Sequence, residues 1–146
     1  LKSGEYDAII LSKAGLTALN LENQITQEFS DNDIIPSVGQ GTIAVQCRAK
    51  DNAMIEFLKK INHEETSISV KAERQVLKVL DGDCETAVGA ICKIIDNKII
   101  LSGELFSIDG DRRYYCETTQ ELKNFYKAGN DVGKKLKEQS KGNYKK

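Results

Sequence analysis

The sequence has a single histidine, His63, and none of its four cysteines, Cys47, Cys84, Cys92 and Cys116, stands in a C-x-x-C pair. The usual zinc spacings are therefore excluded. No apolar run approaches the roughly 18 residues that a membrane-crossing helix needs. The opening LKSGEYDAII has no basic n-region, long apolar core or small-residue cleavage site, so it is not read as a secretory signal. Reduced thiols are accordingly expected rather than two disulfides. The formal net charge is −1, which gives the whole chain no general attraction to nucleic acid. Arginine is scarce, at Arg48, Arg74, Arg112 and Arg113. The only proline is Pro36.

What is present is ordinary globular material. The chain is 146 residues long, 40% hydrophobic and 29% charged, enough for one domain or two small ones. It begins without methionine and enters an apolar run within a few residues, and it is expected to be a piece of a longer chain. Residues 120–146 hold eight lysines against three acids. With no aromatic cluster beside them, a solvated helix face with a basic tail is favoured over a nucleic-acid surface.

Residues 6–11, YDAIIL, have the short continuous apolar character of a buried strand, and 42–49, TIAVQCRA, read the same way. A short helix is expected after the first. A turn is expected at residues 30–33, and Pro36 sets an extended entry to the next segment. DNAMIEFLKKI is amphipathic, with Met54, Phe57, Leu58 and Ile61 on one face. Asn62, with Glu65 three residues on, predicts a capped helix running to about Leu80. Its apolar positions are Ile68, Ala72, Val76, Val79 and Leu80. Asp81-Gly82 should end it, with the glycine taking the left-handed conformation. AVGAICKII and KIILSGELFSI are joined by Asp96-Asn97, residues that tolerate a tight hairpin. IDGDR turns the chain into RRYYCET. Thr118 with Glu121 suggests a second capping box, opening a helix with Leu122, Phe125, Val132 and Leu136 inward. Residues 63–140 thus read as helix, three-stranded antiparallel meander and helix.

Several motifs are weaker than they look. VGQGT, residues 38–42, lacks the third glycine of a dinucleotide loop, because Ala44 stands there, and it precedes a strand-like run rather than a helix. A tight turn approached closely by another segment or a ligand is the plainer reading. His63, beside a helix cap in a polar run, is taken as structural. Cys47, Cys92 and Cys116 fall in strand-like runs and read as small buried hydrophobes. Cys84 differs, since it lies in a turn between a helix end and a strand. Asp81, Asp83 and Glu85 surround it, and the negative end of the preceding helix points toward it. Both disfavour a thiolate, so an activated nucleophile is not expected there. A thiol that reacts once and stays occupied needs no such activation.

GEYDAIILSKAGL, IPSVGQGTIAVQCR, INHEETSISVKAERQVLKVLDGDCETAVGA and GELFSIDGD, in this order, resemble the second half of porphobilinogen deaminase (hydroxymethylbilane synthase). The resemblance runs from Ser3 to about Leu136. It implies a cytoplasmic transferase of tetrapyrrole (haem) biosynthesis with two periplasmic-binding-protein-like α/β domains and a small α+β third domain. It also implies that four porphobilinogen molecules are deaminated and joined into a linear tetrapyrrole on a dipyrromethane cofactor, held by a thioether at the position of Cys84. By the same resemblance, residues 1–36 end the second domain. Residues 37–61 return to the first, and 62–146 form the third. Ser12, Val38 and Gln40 match segments lining the cofactor cleft, and Arg74 matches the arginine of the helix before the cysteine loop. The implied partners are porphobilinogen and the growing polypyrrole, with no nucleic acid or membrane. The full-length enzyme would be a monomer, and a fragment could self-associate.

Three departures stand out. Asp83 replaces the second glycine of the family's glycine-glycine-cysteine loop, and Ala87 takes the place of a proline. Ala18 stands where the family has a substrate-gripping arginine. The family's catalytic aspartate and most of its arginine cluster correspond to no residue here, so the 146 residues alone are expected to lack deaminase activity. The competing expectation is a non-catalytic small-ligand-binding module built on the same half-fold.

Overall fold

The computed structural model describes residues 1, 3–83 and 85–145. The chain divides into two units, Leu1–Asp33 and Ile34–Lys146. The first holds a six-residue helix, α1 (Lys13–Ala18), and a single 3-10 turn, Glu22–Gln24. Lys13 pairs with Glu28 at 2.7 Å. The expected turn at 30–33 forms: the Asp33 carboxylate accepts bonds from the Ser30 amide at 2.8 Å and hydroxyl at 2.7 Å.

Neither 6–11 nor 42–49 is a strand. A strand needs a neighbour to take its amides and carbonyls, and no neighbouring strand pairs with these runs among the described residues. Their apolar side chains stay open to solvent, Ile10 at 73% and Ile43 at 91% exposure. Helix α2 (Asn52–Lys59) forms as expected, capped by the Asp51 carboxylate on the Met54 amide at 3.0 Å. Its apolar face is uncovered as well, with Met54, Phe57 and Ile61 exposed.

The second unit carries the folded core. Helix α3 (Glu64–Val79) starts one residue later than the Asn62 cap predicts. His63 is the N-cap instead, its Nδ1 accepting from the Thr66 amide at 3.3 Å. Strands β1 (Val88–Ile95), β2 (Lys98–Phe106) and β3 (Arg113–Glu121) make an antiparallel sheet in the order β1-β2-β3. Asp96 and Asn97 both take positive φ, 48° and 58°, the twist a two-residue hairpin requires. The Thr118–Glu121 capping box does not form. Both residues belong to β3, Thr118 opposite Leu101, and the chain turns through a 3-10 step, Leu122–Asn124, before α4 (Phe125–Ser140). Sheet pairing satisfies those backbone groups, which leaves the side-chain cap nothing to offer.

Ile99, Leu101 and Leu105 line the inner face of β2 with Ala72, Val76 and Leu80 of α3 and Val132 and Leu136 of α4, all fully buried. Helices α3 and α4 pack closely: a Cβ on Gly129 would meet the Ala72 carbonyl oxygen at 2.5 Å. This is the expected small α+β domain. Among the described residues no helix is long and apolar enough to cross a membrane.

Candidate functional site

The C-terminal end of α3 and the loop after it, 80–87, carry the position singled out in the sequence. Cys84 itself lies outside the described residues. The helix closes with a Schellman arrangement. Gly82 donates to the Leu77 carbonyl at 3.0 Å and Asp81 to that of Lys78 at 3.2 Å. The left-handed residue is Asp81 (φ 49°), not Gly82 as expected. An added Cβ on Gly82 would come 2.6 Å from Leu77 Cδ1 and 3.3 Å from Thr86, side-chain atoms that would have to give way.

Asp83 organises the loop. Its Oδ1 accepts from the Glu85 amide at 2.9 Å and the Thr86 hydroxyl at 3.3 Å, and its amide donates to Thr86 Oγ1 at 3.1 Å. A side chain that caps its own turn fixes the chain where a glycine would leave it free.

Beside this loop is a cleft of about 400 Å³ lined by Lys71, Arg74, Gln75, Leu77, Lys78, Gly82 and Tyr126. Lys71, Arg74 and Lys78 follow helical spacing along one side of α3. None of the three pairs with an acid among the described residues. Three unneutralised cations bordering one hollow suit a ligand with several carboxylates, the guanidinium adding a planar two-pronged donor.

A second hollow, about 280 Å³, lies on another side of α3 between Gln40, Thr42, His63, Ser69, Glu73 and Cys92. Glu73 is its anchor. Buried in the helix, it accepts from the Gly39 amide at 2.9 Å and the Cys92 amide at 3.0 Å. Burial pushes its carboxyl above the ordinary range, against the pull of the two amides. The VGQG segment is thus the tight turn expected, with Gly39 (φ 74°) and Gly41 (φ 79°) supplying the left-handed positions. Preceding it, a short strap is fastened to the sheet. Pro36 O accepts from Ala90 N at 3.1 Å, and the Ile35 amide donates to buried Glu104 at 3.2 Å. Glu104 also binds Arg113 at 2.7 Å.

The predicted site residues therefore fall in three places. Gln40 lines the second hollow, and Val38 beside it packs on the core. Arg74 lines the first hollow, on a different side of α3. Ser12 is the N-cap residue of α1 in the separate first unit, without a capping side-chain bond, and Ala18 ends the same helix. Sequence reasoning did not single out Glu73, Glu104, Lys71 or Lys78. The usable signal was an acid next to core positions: Glu73 adjoins Ala72, and Glu104 sits between Gly103 and Leu105. Among the described residues no group of three His, Cys, Asp or Glu side chains could hold a metal.

Comparison with known families agrees with this architecture. Residues 1–56 match the model described as porphobilinogen deaminase, dipyromethane cofactor binding domain, and residues 67–139 match porphobilinogen deaminase, C-terminal domain. The chain belongs to the porphobilinogen deaminase family, transferases of haem biosynthesis. A porphobilinogen deaminase of Syntrophobacter fumaroxidans is 34% identical over 136 residues, covering 93% of this chain and 44% of the relative. One from Nitrobacter hamburgensis is 37% identical over 142 residues, covering 96% and 44%. One from Coxiella burnetii is 44% identical over 110 residues, covering 75% and 36%. The chain thus spans less than half the length of these curated relatives.

Proposed function

We propose that these 146 residues are the C-terminal part of a cytoplasmic porphobilinogen deaminase in which Cys84 tethers the dipyrromethane. In this reading residues 1–36 complete a second α/β domain, 37–61 return to the first, and 62–146 are the domain bearing the tether. The observation that carries the proposal is the cleft beside the cysteine loop, with three cations that pair with no acid among the described residues. Dipyrromethane is a polycarboxylate, and the donor set of Lys71, Arg74 and Lys78 fits it in charge. When bound, it supplies the free pyrrole carbon to which porphobilinogen units are joined.

The chain's own residues then bind and position. Arg74 would hold a carboxylate of the bound group through its planar guanidinium, with Lys71 and Lys78 as point charges beside it. Asp83 holds Glu85 and Thr86 by hydrogen bonds, which would fix the residues flanking the tether. Glu73 keeps the Val38–Gln40 turn against α3. No residue here is assigned as the catalytic aspartate, so porphobilinogen consumption by the purified 146-residue chain should be nil.

The test is the mass of the peptide containing Cys84, from the protein purified from its own cells. A two-pyrrole adduct on Cys84 supports the proposal. An unmodified Cys84 in folded protein overturns it and favours a binding module without the tether.

A further inference from the structure

A Schellman end leaves two carbonyls of α3, Val79 and Leu80, without partners in their own helix. Both are supplied from the other end of the unit. The Tyr144 hydroxyl donates to Leu80 O at 2.9 Å, with the ring buried at 3% exposure. Lys137 Nζ approaches Val79 O at 3.4 Å and the Asp81 carboxylate at 3.3 Å. Lys145 Nζ lies 3.9 Å from the same carboxylate. The tail reaches this place by a sharp reversal after α4, with Lys141 at φ 49° and Gly142 at φ 82°. The Asn143 amide closes the turn on Ser140 O at 2.9 Å.

From these contacts we infer that the C-terminal segment 137–145 is a positioning brace for the loop 81–87, with Tyr144 its anchoring residue. Tyr144 belongs to the hydrophobic core cluster and makes a buried bond, whereas the two lysines and Asp81 are solvent-exposed. Exposed ion pairs contribute little, so the hydroxyl should dominate and the lysines should tune. The brace fixes the residue from which the loop departs. The lysines also neutralise Asp81, which takes a left-handed conformation that side chains rarely adopt. The anchoring of the helix end at Val79–Asp81 follows from geometry alone. That it orients a tether on Cys84 rests on the function proposed above.

Amide exchange over residues 80–88 of the 146-residue chain tests the brace directly. Tyr144→Phe should speed exchange at Gly82 and Thr86 about tenfold, the worth of one hydrogen bond to a buried carbonyl. The sheet amides of Ala90 and Leu101 should not change. Lys137→Ala with Lys145→Ala should give a smaller acceleration, which arginine at both positions restores. Unchanged loop exchange in Tyr144→Phe overturns the brace. So does acceleration spread equally to the sheet in both sets of variants, because that marks general destabilisation.

The tether arm is separate. In protein from cells, Tyr144→Phe should lower the fraction of Cys84 carrying an adduct at least twofold. An unchanged fraction overturns the link between brace and tether. Absence of any adduct in the unsubstituted protein overturns the proposed function instead, and the exchange result still decides the brace.

Discussion

Replacing Gly89 with alanine tests whether the strap at 35–37 is a fixed part of the second unit. The added Cβ would lie 2.6 Å from Ile35 O, 3.1 Å from Pro36 O and 3.2 Å from Ile35 C. All three atoms are backbone, so no side chain can swing aside. The strap must retreat by roughly 0.5–1 Å to restore van der Waals separation. That retreat strains the Ala90–Pro36 bond of 3.1 Å and the Ile35–Glu104 bond of 3.2 Å. Overpacking of this kind costs ~1–3 kcal/mol, and each hydrogen bond lost adds ~1 kcal/mol. A destabilisation of about 3 kcal/mol is expected, and about 12 °C in Tm for a unit of this size. Thermal unfolding followed by circular dichroism reads the shift, and amide exchange at Ala90 reports the strap. Gly15→Ala, in a helix with nothing within 4 Å of the new Cβ, is the matching control and should leave this unit unaffected. A Gly89→Ala shift below about 3 °C, with the Ala90 amide still protected, would refute the reasoning.

Glu73→Gln keeps the shape but presents an NH2 to one of the two amides that Glu73 accepts, so it should cost ~1–3 kcal/mol in urea unfolding. Burial raises the Glu73 pKa in the folded chain above its ordinary 4.5, so folding favours the protonated form. Its contribution is therefore largest below about pH 4.5 and declines as pH climbs through the raised value. Stability–pH profiles that superpose for the two proteins would contradict this. The Cys92 thiol is pushed up to about 11, chiefly by burial, and Cys116 is raised for the same reason. At pH 8 only about one Cys92 in a thousand is thiolate, so iodoacetamide followed by peptide mass should find it nearly unlabelled in the folded chain. Fast labelling would refute that burial. Asn97→Gly should raise the urea midpoint by the equivalent of ~0.5 kcal/mol, since the hairpin needs φ > 0 there, and a lower midpoint would count against the hairpin geometry.

What the sequence made legible is what local chemistry decides. Asp96-Asn97 names its turn type, and the spacing of Val132 and Leu136 names the buried face of α4. The misplaced features depend on tertiary competition. Thr118 and Glu121 look like a cap only until β2 is there to pair with them. Asp81 takes the left-handed position because α3 ends one residue earlier than the Asp-Gly pair suggests, with Leu80 as its C-cap and the Gly82 amide closing on Leu77 O. The apolar runs at 6–11 and 42–49 carry strand composition, but strand structure is a property of pairs. Tyr144, in a lysine-rich tail, gives no local sign that it will reach the end of α3.

Of the acids that flank position 84 in the sequence, two have partners within the unit. Asp81 is met by Lys137 and Lys145, and Asp83 spends its carboxylate on the turn itself. Their charge is therefore partly committed within the unit. The cations of the cleft, Lys71, Arg74 and Lys78, are not committed to anything among the described residues. Charge that is neutralised locally shapes a loop, whereas charge left unpaired is available to a ligand. On that division acids build the loop, and the cations of the cleft are the groups that the proposed polycarboxylate would meet. Asp83 then serves the architecture of the loop and does not compete with a ligand's carboxylates for the cations of the cleft.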